Sequence, residues 1–71
     1  MTAPERRPLT VAEQRALESL TAGPMPVARV LPRLRRPYTT LVDRGLAVVD
    51  DRFDTWVITG AGASYLAILH Q

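Results

Sequence analysis

Ala16, Leu17 and Leu20 recur at helical spacing, with Glu13, Arg15 and Glu18 set between them on the outward side, which predicts an amphipathic helix. Ahead of them Thr10-Val-Ala-Glu13 fits a capping box, in which the Thr10 hydroxyl and the Glu13 carboxylate each satisfy a free backbone amide. Gly23 and Pro24 stop the pattern as a C-cap glycine and a breaker do. The first helix is therefore expected over residues 10–22.

From Pro24 to Pro37 the pattern is broken. Prolines at 24, 26, 32 and 37 exclude one long helix, because each lacks an amide and clashes one turn back. Met25-Pro26-Val27 reads as a short extended piece. Val27, Val30, Leu31 and Leu34 return to helical spacing, so a short second helix is expected near residues 27–34, limited by Pro32. Pro37 suits the first position of a third helix over residues 37–44. Its inward face is Tyr38, Leu41 and Val42; its outward face is Thr39, Thr40, Asp43 and Arg44, with Gly45 as the cap.

Leu46–Asp50 and Thr55–Thr59 read as antiparallel strands joined by Asp51-Arg-Phe-Asp54. Trp56 and Ile58 alternate with Thr55, Val57 and Thr59 and are expected to face the core. Thr59 is placed to cap a closing helix whose body, Ala63 to Leu69, is apolar on almost every side. Gly60 and Gly62 allow close packing where that helix starts. The fold class expected is mainly α with a small β-hairpin (α+β): a three-helix core, the hairpin and a C-terminal helix. Residues 1–8, with prolines at 4 and 8, read as a flexible N-terminal arm, and residues 9–71 as a single domain.

Charge changes the picture more than composition does. The net charge is +2, but residues 29–44 hold five arginines against Asp43, while residues 45–71 hold Arg52 against Asp50, Asp51 and Asp54. All nine basic residues are arginine, whose planar fork matches phosphate and guanine edges. Five arginines within sixteen residues are denser than a solvated face needs, and point to nucleic acid. Four aromatic residues that do not interleave with the arginines argue against single-strand stacking and for a duplex. The alternative for these arginines is a solvated face paired with Asp43, Glu18 or a hairpin carboxylate.

Other chemistry is thinly represented. There is no cysteine, so neither disulfides nor thiolate metal sites are available. His70 stands alone, and Gly60-Ala-Gly62 lacks the third glycine of a dinucleotide loop. No enzyme activity, cofactor or metal is expected. No apolar run reaches the roughly 20 residues of a membrane span, and no apolar segment follows the basic N-terminal residues as a secretory signal requires. A cytoplasmic protein with no membrane partner is expected.

Leu41-Val-Asp-Arg-Gly-Leu46, a hairpin, and Trp56-Val-Ile-Thr-Gly-Ala-Gly62 together resemble the winged helix-turn-helix family of bacterial and phage regulators. Members of the multiple-antibiotic-resistance and arsenic-repressor type often end the recognition helix in Leu-x-x-x-Gly-Leu and leave the wing through Leu/Ile-Thr-x-x-Gly. The resemblance spans residues 9–69. It implies a transcriptional regulator, or an accessory factor of a phage or mobile element, that binds double-stranded DNA. Arg33, Arg35 and Arg36 would then sit where the recognition helix enters the major groove, with Thr39, Thr40 and Arg44 along the same face and Arg29 as a further DNA contact. Asp43 is read as orienting one of these arginines, in preference to accepting from a cytosine amino group. The wing tip is acidic, so Arg52 is its one candidate for phosphate. Leu66 and Leu69 are expected on the first helix, leaving Tyr65 and Ile68 outward. Homodimerisation through the C-terminal helix, with Tyr65, Ile68 and Leu69 at the interface, would cover that surface. The alternative function is a winged helix used as a protein–protein adaptor, with the acidic wing and the apolar last helix as the contact surface.

Overall fold

A computed structural model describes residues 8–69. The expected flexible arm lies almost wholly outside the described residues, as does His70. Helix α1 (Val11–Leu20) leads to a two-residue strand β1 (Met25–Pro26), two 3-10 turns (Val27–Arg29 and Pro32–Leu34), helix α2 (Arg36–Asp43), strands β2 (Ala47–Asp50) and β3 (Thr55–Ile58), and helix α3 (Gly60–Leu69). Among the described residues the architecture is α+β: three α-helices and an antiparallel three-stranded sheet in the order β1-β3-β2.

The capping box forms. The Glu13 amide donates to Thr10 Oγ1 at 3.1 Å, and Glu13 Oε1 accepts from the Thr10 amide at 3.0 Å. That reciprocal pair draws Glu13 against the protein, leaving it 8% exposed rather than outward as its position in the sequence implied. Ala16, Leu17 and Leu20 are buried as expected.

The expected second helix, and with it a fourth helix in all, does not form. Val30 separates two single 3-10 turns with extended angles (φ −101°, ψ 124°). Leu31 is extended as well (φ −57°, ψ 142°), because the residue before a proline is pushed out of the helical region by the ring of Pro32. Helical spacing of apolar residues was present; the backbone needed to use it was not. Leu31 and Leu34 are each 53% exposed in consequence.

Helix α2 starts one residue before Pro37, whose missing amide costs nothing within a first turn. It ends in a Schellman motif: Gly45 takes φ +77°, its amide donates to Val42 O at 3.0 Å, and the Leu46 amide donates to Leu41 O at 2.9 Å. The accompanying apolar contact is supplied by Leu41 and Leu46, both buried in the core. Tyr38 and Val42 are half-buried against that core. Of the expected outward face, Thr39 and Asp43 are exposed and Thr40 and Arg44 are half-buried.

In the hairpin Val48 pairs with Val57 and Val49 with Trp56. Trp56 is buried and Ile58 half-buried on the core side. Thr55 is also buried, contrary to simple alternation, because β3 is the central strand and Thr55 stands between Pro26 and Asp50. Thr59 joins the sheet to α3: its hydroxyl donates to Gly45 O at 2.8 Å and accepts from the Gly62 amide at 3.1 Å.

Leu9, Ala16, Leu17, Leu20, Leu41, Leu46, Ala47, Trp56 and Leu66 form one core between α1, α2, α3 and the sheet. Leu17, Leu20 and Leu41 are essentially free of solvent, and each such side chain contributes about 1.5–3 kcal/mol by burial. Gly62 is where α3 crosses closest: a Cβ there would meet the backbone oxygen of Leu46, with Ile58 Cγ1 at 2.9 Å and Leu17 Cδ1 at 3.2 Å. Two expectations for α3 are corrected. Leu69 is 46% exposed rather than packed on α1, and Tyr65 is half-buried on the core, its hydroxyl accepting from the Leu9 amide at 3.3 Å. Ile68 is 67% exposed.

Candidate functional site

The arginine-rich stretch becomes two tight turns and the start of a helix. Arg29 closes the first 3-10 turn, Arg33 sits in the second, and Arg36 opens α2; all three are exposed. None of the three makes an ion pair with a carboxylate among the described residues.

The remaining candidates divide differently. Arg35 is half-buried and its Nε donates to Val30 O at 2.8 Å, folding the second turn back on the first. Part of its donor capacity is therefore spent on the local backbone. Arg44 is half-buried at the C-cap of α2, where its amide donates to Thr40 O at 3.0 Å. Thr39 is exposed with its hydroxyl donating to Arg36 O at 2.9 Å, and Thr40 is half-buried. Arg52 projects from the hairpin tip, 3.7 Å from Asp50 Oδ1 and with its guanidinium 5.5 Å from the centre of the Phe53 ring. An ion pair so open to water contributes little. The structure thus gathers Arg29, Arg33 and Arg36 as the exposed set, and leaves Arg52 at a separate, mainly acidic tip.

What holds α2 in place is a polar–aromatic clamp. The Tyr38 ring stacks on Trp56 of β3 with centroids 4.4 Å apart and planes 13° from parallel. Its hydroxyl lies 3.1 Å from Ser19 Oγ of α1. One side chain therefore touches both α1 and β3 and fixes which face the helix turns outward.

No protein-family model, curated protein or solved structure matches this chain. Among the described residues no group of His, Cys, Asp or Glu could hold a metal ion, and no helix is long and apolar enough to cross a membrane.

Sequence reasoning missed where the acidic tip lies. Asp54 takes φ +51° at the end of the hairpin turn, and its carbonyl accepts from the Val27 amide at 3.0 Å. The tip therefore adjoins the first arginine-bearing turn. Pro26 carried a faint signal, since a proline in extended backbone belongs on a sheet edge.

Proposed function

We propose that this chain is a winged helix-turn-helix module that binds double-stranded DNA, acting as a small regulator or an accessory factor. The observation that carries the reading is the run of exposed guanidinium groups at Arg29, Arg33 and Arg36, on successive turns that lead into α2. The order of elements supports it: helix, short strand, turns, helix, hairpin, helix, with the short strand and the first hairpin strand flanking the second. In this reading α2 is the recognition helix, Thr39 and Asp43 are its exposed polar side chains, and β2–β3 is the wing. The acidic tip leaves Arg52 as the wing's one phosphate ligand. Exposed Ile68 and Leu69 on α3 support a homodimer, which would present two such helices to a palindromic site.

A second reading rests on Phe53, 69% exposed at the acidic tip: the same fold used as a protein adaptor, with no nucleic acid involved. Fluorescence anisotropy on random-sequence duplexes across a salt series separates the two. Three phosphate contacts give a slope of log K against log salt of about −3. Absence of binding at the lowest salt removes the nucleic-acid reading.

A further inference from the structure

Two surfaces of opposite charge lie side by side on this chain. The hydrogen bond from Val27 to Asp54, with Pro26 opposite Thr55 in the sheet, sets the hairpin tip against the turn that ends at Arg29. Asp51, Phe53 and Asp54 are exposed on the tip, where Arg52 is turned to Asp50 and the Phe53 ring; Arg29, Leu31 and Arg33 are exposed along the two turns and the residues between them. Each surface also carries a large apolar side chain in water, Phe53 at 69% and Leu31 at 53% exposure. Among the described residues neither Asp51 nor Asp54 pairs with Arg29 or Arg33. Adjoining patches of opposite sign are what a self-complementary twofold contact requires. Half a turn about an axis between them brings each patch of one copy onto its opposite on the other, and every contact is made twice.

We propose that a second copy of this chain docks here. The tip of each copy sits on the arginine turns of the other, Asp51 and Asp54 facing Arg29 and Arg33, and Phe53 lying against Leu31. The contact is small and rimmed by water, so it is transient. It is distinct from any pairing through α3 and does not depend on the nucleic-acid reading. Where both hold, duplex and second copy compete for the same arginines.

Sedimentation velocity on the full chain, from about 0.05 to 1 mM protein, tests this at low and high salt. Reversible dimerisation is expected at low salt. It should weaken at least tenfold in 1 M NaCl, where screening acts within about 3 Å. Made in an Ile68→Asp with Leu69→Asp background, which removes any pairing through α3, the double variants Arg29→Glu with Arg33→Glu, and Asp51→Arg with Asp54→Asn, should each be monomeric with an unchanged circular dichroism spectrum, since all these positions are exposed. Asparagine at position 54 is chosen because it tolerates positive φ. An equimolar mixture of the two variants should re-form the dimer, because both halves of the contact then pair opposite charges. Ile68→Asp with Leu69→Asp should leave it intact. The proposal is overturned by a monomer under every condition, by association that the charge variants leave unchanged, by failure of the mixture to recover it, or by loss through the α3 variant.

Discussion

The phenol ring of Tyr38 lies flat on the indole of Trp56, 4.4 Å away, while its hydroxyl reaches Ser19 on the opposite helix. Tyr38→Phe keeps the stack and loses only the hydrogen bond, so a loss of about 1 kcal/mol is expected in urea denaturation. Tyr38→Ala removes both and is expected to cost about 2–4 kcal/mol. Equal losses from the two variants would mean that the stack contributes nothing.

Two glycines in α3 should respond in opposite directions to the same methyl group. At Gly62 a Cβ collides with the Leu46 carbonyl oxygen and crowds Ile58 and Leu17, whereas at Gly60 it meets nothing within 4 Å. Gly62→Ala is expected to destabilise by about 2 kcal/mol or more, and Gly60→Ala to stabilise by about 0.5–1 kcal/mol. Thermal melts of both variants check this. A Gly62→Ala protein as stable as the parent would disprove the close crossing of α3 over Leu46.

Thr59 ties two elements with one hydroxyl, donating to Gly45 and accepting from Gly62. Thr59→Val keeps the shape and loses both bonds; about 1–2 kcal/mol should be lost. Amide exchange should accelerate first at Gly62, whose amide loses its acceptor. Uniform acceleration through α3, with Gly62 no different from its neighbours, would contradict this.

Arginines 35 and 36 are adjacent in sequence yet expected to behave as different classes. Arg35→Ala loses the hydrogen bond to Val30 O and should lower stability by about 1 kcal/mol. Arg36→Ala, on an exposed side chain, should leave stability within about 0.5 kcal/mol. If the nucleic-acid reading holds, Arg36→Ala also lowers the salt slope of duplex binding by about 1. A fold weakened more by Arg36→Ala than by Arg35→Ala would reverse these roles.

Much of this architecture is written in local signals. Thr10 and Glu13 announce their capping box, Gly45 its left-handed cap, and Thr59 its bond to the last helix, because each motif is closed within a few residues. The turns between Val27 and Leu34 were not legible, because apolar spacing speaks for a helix while Pro32 forbids one, and spacing says nothing about which prevails. Glu13 and Thr55 were misplaced for a related reason: burial of a polar residue follows from its partners or its strand's position in the sheet, neither of which a periodic pattern contains. Among the candidate residues, the density of arginine was plain, but its division was not. That Arg35 serves the backbone while Arg29, Arg33 and Arg36 stand in water depends on where Val30 points its carbonyl, and that is settled only once the turns close.

The Leu9 amide and the Tyr65 hydroxyl, 56 positions apart, share a hydrogen bond. The residue just ahead of α1 is thereby tied to the middle of α3, the last element of the described chain. Exchange of the Leu9 amide with solvent should therefore report the lifting of α3 from the core, although the two lie at opposite extremes of the described sequence.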